Sequence, residues 1–240
     1  MTEWFEQWFG EEYLRLYPHR DDRDAEAAVA LIDRVAPLAG RRVLDLACGP
    51  GRHAALLAAR GARTVGLDLS LPLLARARRR TKGAVTFVRA DMRRLPFAPA
   101  TFDLVVNLFT SFGYFADDQQ HAAVVRAAAE LLSTGGVFVL DYFNATAVRA
   151  TLVSHEERMI GAGRVVIERR LSADDRFVVK QMHLLDDGRS FVERVRLFTP
   201  EDLTALLQVA GLTVRDRFGD YDGAPAAPSA PRIILTGVRA

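Results

Sequence analysis

Between residues 41 and 143 the chain alternates short runs that are apolar throughout with stretches of helical periodicity. Strands are expected at 42–47, 63–68, 85–89, 102–107 and 137–143, with helices at 52–59, 71–80 and 117–132. A strand with one face in water alternates apolar and polar residues, whereas a strand apolar at every position has to be covered on both faces. Such strands separated by helices predict a doubly wound, mostly parallel sheet. Ligands in these sheets bind beyond the carboxyl ends of the strands, where strand order reverses. The residues just after each strand are therefore the candidates for function.

After residue 144 the rhythm changes. Period-two alternation at 164–171, 177–185 and 190–197, broken by "SADD" and "DDGR", predicts a three-stranded antiparallel meander with polar turns. "TPEDLTALLQVAGL" opens a helix with Thr199 as its cap, Pro200 at its first position and Gly211 at its end. Two further strands are expected at 212–218 and 233–238, joined by the proline-rich "GDYDGAPAAPSAP". The expected fold is α/β, with a seven-stranded sheet and a small antiparallel insertion.

Composition narrows the function. With 50% apolar and 26% charged residues the chain reads as globular. Its apolar runs are strand-length, short of the ~20 residues that span a bilayer. Residues 1–10 carry acids and aromatics instead of a charged-then-apolar leader, so a cytoplasmic location is expected. The single cysteine, Cys48, excludes an internal disulfide, and neither it nor five scattered histidines form a metal-ligand pattern, so no metal is expected. A formal charge of +2 argues against wholesale nucleic-acid binding. The cluster Arg76, Arg78, Arg79, Arg80 and Lys82 falls at a predicted helix end, where cations complement exposed carbonyls.

The stretch "VLDLACGPGRHAALLAARG" places a carboxylate and two glycines between a strand and a helix. Gly49 and Gly51 permit close backbone approach, and the helix start points free N–H groups at whatever binds. "GPGRHA" fits a relaxed dinucleotide pattern, but Asp45 would face a pyrophosphate and Pro50 removes an N–H that a phosphate cradle needs. A ligand bearing an ammonium suits Asp45 better. Asp68, ending the next strand, can hold a ribose diol, since two hydroxyls match two carboxylate oxygens. Asp91 with Met92 can take an adenine. An amino acid, a ribose and an adenine in a row describe S-adenosylmethionine.

"VLDLACGPGRH", "GLDLS", "ADMRRLPF" and "FDLVVNLFTSFGYF" together resemble, in order and spacing, the motifs of class I S-adenosylmethionine-dependent methyltransferases. The resemblance runs from about residue 41 to 143. It implies that Asp45, Ala47, Gly49 and Gly51 hold the methionine end, Asp68 and Leu69 the ribose, Asp91 and Met92 the adenine, and Asn107 with Phe109 the edge near the sulfonium. It divides the chain into an N-terminal helical lid (1–40), a Rossmann-like cofactor-binding core (41–150), an antiparallel insertion covering the substrate (151–198) and a return to the core (199–240). The meander is similar in architecture to that of small-molecule methyltransferases of the amino-sugar and glycine N-methyltransferase type. S-adenosylhomocysteine would be the product.

Methyl transfer is an in-line displacement in which positioning and desolvation do much of the work. Candidates for acceptor chemistry are His53 after the glycine turn, Tyr114 beyond the fourth strand, and Tyr142 with Asn144 at the end of the fifth. Tyr17 or Arg20, in "YLRLYPHRD", would clasp the cofactor from the lid. "NLFT" replaces the Asn-Pro-Pro-aromatic motif that many nucleic-acid amino-methyltransferases carry, and no spare thiol exists to attack a pyrimidine. A small-molecule N or O acceptor is expected, the alternatives being RNA or protein methylation, or a non-catalytic protein using the same fold.

Overall fold

The computed structural model describes residues 3–17, 22–160 and 163–240. Five parallel strands, β1 (Arg42–Leu46), β2 (Arg63–Asp68), β3 (Thr86–Arg89), β4 (Phe102–Asn107) and β5 (Leu132–Phe143), join β10 (Leu212–Phe218) and β11 (Arg232–Arg239) in the order β10-β11-β5-β4-β1-β2-β3. β11 runs antiparallel to both β5 and β10. From β1 the chain moves outward to β2 and β3, then crosses back to β4 on the other side of β1. The order therefore reverses between β1 and β4, which opens a crevice at their carboxyl ends.

Both faces are covered, which is why these strands carry almost no polar positions. α3 (Asp22–Val35) and α4 (Arg52–Ala59) send Val29, Ile32 and Leu57 against Val43, Leu104, Val106, Val137 and Val139. On the other face α6 (Asp118–Leu131) and α8 (Pro200–Val209) send Val124, Val125, Leu203 and Leu207 into one core with Leu44, Val105, Phe138 and Leu140. Neighbouring strand residues thus serve opposite cores, as the pleat requires. Truncating a residue such as the fully buried Leu44 to alanine would cost ~2–5 kcal/mol. α5 (Leu71–Thr81) begins at Ser70, whose hydroxyl accepts from Leu73 N, and α8 carries a full Thr199/Asp202 capping box.

Among the described residues the insertion has four strands, one more than its alternation suggested: β6 (His155–Ile160), β7 (Gly163–Leu171), β8 (Phe177–Leu184) and β9 (Ser190–Arg196), after the short α7 (Ala145–Thr151). β6 is a largely exposed edge strand, so "HEERMI" is polar on both faces and has no period-two signature. Val165, Ile167, Met182 and Leu184 pack against Trp8, Tyr13 and Leu16 from α1 (Trp4–Trp8) and α2 (Glu11–Leu16). The half-buried pair Lys180–Glu193 (3.4 Å) fastens the two together: Trp8 Nε1 donates to Glu193 at 2.7 Å, and the Tyr17 hydroxyl lies 3.4 Å from the same carboxylate. α1 and α2 therefore join the meander, whereas α3, expected with them in one lid segment, is part of the core.

Candidate active site

Where β1 ends, the backbone coils through left-handed conformations at Ala47 (φ +60°), Gly49 (+54°) and Gly51 (+76°). The two glycines serve different ends. A Cβ on Gly49 would meet nothing within 4 Å, and this residue lines a cavity. A Cβ on Gly51 would lie 2.8 Å from that of Ala77, so this glycine lets α4 and α5 approach and does not reach the cavity.

The cavity, about 1030 Å³, opens over the carboxyl ends of β1 to β4. Ala47, Gly49, His53, Asp68, Leu69, Asp91, Met92, Phe109 and Tyr114 line it from the core, and Phe5, Phe9, Tyr13 and Tyr17 from the N-terminal helices. Asp68 bridges the glycine turn and the start of α5, accepting from Gly49 N and Ser70 N at 2.8 Å each. Burial pushes its pKa up against those bonds. Each oxygen keeps a lone pair beyond the one in use, so the carboxylate can still accept from a diol. Asp91 is gripped by Arg93 through Nε (2.9 Å) and Nη2 (2.6 Å). Partial burial would raise its pKa, but the guanidinium holds it below the usual carboxylate range. The Tyr114 hydroxyl donates to the Thr110 carbonyl at 2.8 Å, and its ring packs edge-on against Trp4.

Other expected site residues lie elsewhere. Asp45 is buried beneath the glycine turn, off the cavity, and its Oδ2 has no partner among the described residues. Burial, with the nearby Asp68 charge, pushes its pKa up to about 7. Asn107 is buried too; its amide donates to the carbonyls of Leu46 (3.0 Å) and Ser111 (3.3 Å), tying β1 to the loop after β4. Tyr142 does not reach the cavity. It is fully buried among Phe112, Phe143 and Phe198, and its hydroxyl donates to the Arg196 carbonyl. A catalytic role read from its place at a strand end is corrected by the pleat, which turns this side chain into the core. Asn144 caps α7 and holds the carbonyls of Ala227, Pro228 and Ala230. Arg20 lies outside the described residues.

His53 is 6% exposed, lines the cavity and sits 6.5 Å from the Phe109 ring. Burial, then the charges of Arg52 and Arg232, lower its pKa to about 3, so it is a neutral imidazole. Its Nε2 has no partner among the described residues. Cys48, which the sequence puts within the glycine turn, also lines the cavity, as do Ser70 and Ser111, neither of them an expected site residue. Only Ser70 carried a signal, as a serine one residue before the apolar start of a helix.

A crevice at the switch point of a doubly wound sheet, with a carboxylate beside a bare glycine backbone, defines a nucleoside-binding enzyme fold. Residues 43–136 match a family model described as a methyltransferase domain. The chain is 32% identical over 219 residues to the dTDP-3-amino-3,6-dideoxy-alpha-D-glucopyranose N,N-dimethyltransferase of Streptomyces fradiae, covering 84% of this chain and 81% of that one. It is 30% identical to the cypemycin N-terminal methyltransferase of a Streptomyces species, over 82% of each. The solved structure of the sugar N-methyltransferase KedS8 from a Streptoalloteichus species matches with a TM-score of 0.73 at 30% identity, over 96% of this chain and 93% of that one. The chain belongs to the class I S-adenosylmethionine-dependent methyltransferases. The site fits that cofactor: the space beside Gly49 that a Cβ would enter is open, Asp68 has acceptor capacity left, and the cavity is large enough for a nucleoside and a second molecule.

Proposed function

We propose that this methyltransferase acts on an amine nitrogen of a sugar-sized small molecule and leaves S-adenosylhomocysteine. The observation that carries the choice of nitrogen is the likeness, over most of both chains, to sugar N-methyltransferases, and the neutral His53 on the cavity wall accords with it. A hydroxyl needs a strong base to become a nucleophile, and an imidazole lowered to about 3 is too weak to be one. An alkyl ammonium titrates near pH ~10 and can release its proton to solvent. His53 instead contributes a neutral wall to the cavity. Bound S-adenosylmethionine supplies an electrophilic methyl group on a sulfonium. Around it, Ala47 and Gly49 would hold the methionine end, Asp68 and Leu69 the ribose, Asp91 and Met92 the adenine, and Phe109 the edge near the sulfonium, while Tyr17 closes the cavity from the N-terminal side and Tyr114 from the loop after β4. α1, α2 and the meander would act as the cover over donor and acceptor.

The test offers the enzyme and S-adenosylmethionine the amino sugar nucleotide of the Streptomyces fradiae relative and its hydroxyl counterpart, with product masses read out. Methylation of the amine alone is expected; faster methylation of the hydroxyl compound would remove the nitrogen assignment. A peptide N-terminal amine is the second reading, favoured by the cypemycin relative, and belongs in the same assay.

A further inference from the structure

The loop after β4 carries two consecutive non-glycine residues in the left-handed region, Phe109 (φ +56°) and Thr110 (+61°). Each costs roughly 1–3 kcal/mol and persists only where surrounding structure enforces it. The enforcement comes from β5: Phe143 N donates to Thr110 Oγ1 at 3.1 Å, and the rest is supplied by Asp141, which does not touch the cavity. Asp141 of β5 is completely buried. Its Oδ2 accepts from Phe109 N at 2.8 Å and from the Tyr221 hydroxyl at 2.7 Å, and its Oδ1 accepts from Arg232 Nε at 2.5 Å. The Asp141 carbonyl accepts from Thr110 N at 3.0 Å. The turn so held presents Phe109 to the cavity, with the Arg52 and Arg232 guanidiniums 4.9 and 5.1 Å from its ring centroid. Its Thr110 carbonyl also fixes the Tyr114 hydroxyl.

We propose that Asp141 is a positioning residue: with Tyr221 and Arg232 it holds the Phe109–Thr110 turn in its left-handed form and thereby shapes the end of the cavity beside the glycine turn. This rests on the functional reading of the cavity, in which that end begins at the cofactor's sulfur and receives the amino-acid portion beyond it. Tyr221 is supplied by the proline-rich loop between β10 and β11, so that loop acts on the site through Asp141, 80 residues away from it in sequence, without entering the cavity.

Two ligands separate the ends of the cavity: S-adenosylhomocysteine, which spans it, and 5′-methylthioadenosine, which lacks the amino-acid portion. Both are titrated calorimetrically into the wild type, Tyr221→Phe and Asp141→Asn, and into each variant combined with Thr110→Gly. Loss of the enforcing bonds is expected to weaken S-adenosylhomocysteine by about 3-fold in Tyr221→Phe and about 10-fold in Asp141→Asn, with 5′-methylthioadenosine within about twofold throughout. Glycine adopts positive φ without strain but gives up the bond from Phe143 N to Thr110 Oγ1, so Thr110→Gly is also measured alone, and relative to it the Tyr221 and Asp141 substitutions are expected to cost little further affinity, which is the rescue. Should Asp141→Asn not fold, Tyr221→Phe and its glycine double variant decide alone. Equal weakening of both ligands, unchanged affinity for S-adenosylhomocysteine, or no rescue by glycine would each overturn the positioning role. A wild type that binds neither ligand would instead bring down the reading of the cavity, and this inference with it.

Discussion

Replacing the two turn glycines one at a time should separate folding from binding. At Gly51 (φ +76°) an alanine pays ~1–2 kcal/mol for the left-handed backbone. Its Cβ would also lie 2.8 Å from Ala77 Cβ and 3.2 Å from Ala77 Cα, and both are closer than carbon atoms pack. Neither contact is with a flexible side chain, so α4 and α5 must part, an overpacking strain of ~1–3 kcal/mol. The total, ~2–5 kcal/mol, corresponds to a Tm lowered by roughly 5–15 °C in a chain of this size. At Gly49 (φ +54°) the backbone cost is similar, but the Cβ meets nothing. Ala47 already occupies this region at φ +60°, so Gly49→Ala should melt only a few degrees early. Its methyl enters the space where the ligand's amino-acid end would lie, and S-adenosylhomocysteine affinity should fall about 100-fold, or ~2.7 kcal/mol. Gly51→Ala, assayed below its melting point, should bind within about tenfold of the wild type. Scanning calorimetry and isothermal titration of both variants check this. Equal Tm values, or wild-type affinity in Gly49→Ala, would refute the division of labour.

Two buried groups should give the stability curve opposite slopes. His53 titrates at about 3 when folded and near 6.5 when unfolded, so between those values the unfolded chain binds a proton that the folded chain refuses, and stability is lost as pH falls from 6.5. Asp45, at about 7 folded and 3.8 unfolded, holds a proton that the unfolded chain has released, so its contribution is lost as pH rises toward 7. His53→Gln should therefore gain on the wild type on acidification from pH 6.5 to 4, and Asp45→Asn from pH 4 to 8; Tm profiles parallel to the wild type would contradict the buried neutral imidazole or the protonated carboxyl. Tyr142→Phe leaves the Arg196 carbonyl without its donor, and should cost ~1–3 kcal/mol of stability while leaving S-adenosylhomocysteine affinity unchanged. A tenfold weaker affinity in that variant would return Tyr142 to the site.

What the sequence disclosed and what it concealed have the same physical source. Where function depends on local backbone chemistry, the motif is a structural statement in itself: a strand end, a left-handed turn and a helix start are contiguous, so Gly49 and Asp68 could be placed beside a cavity from spacing alone. Where function depends on the face a side chain takes, doubly covered strands offer no signal, because every position is apolar whichever core it serves. β5 shows this most plainly. Asp141 and Tyr142 are adjacent, and the polar tip of Tyr142 drew the functional reading although its hydroxyl ends on the Arg196 carbonyl in the core. Asp141, the one carboxylate in that strand, goes instead to the turn that borders the cavity. An acid in a strand covered on both faces has to find donors or lose its charge, and here three side-chain and backbone groups from Phe109, Tyr221 and Arg232 supply them. The partners stand 32, 80 and 91 residues away, too far for any periodicity to connect them. An unexplained charge inside an otherwise apolar strand is thus a sequence signal after all: it says that partners exist, and leaves the fold to say which.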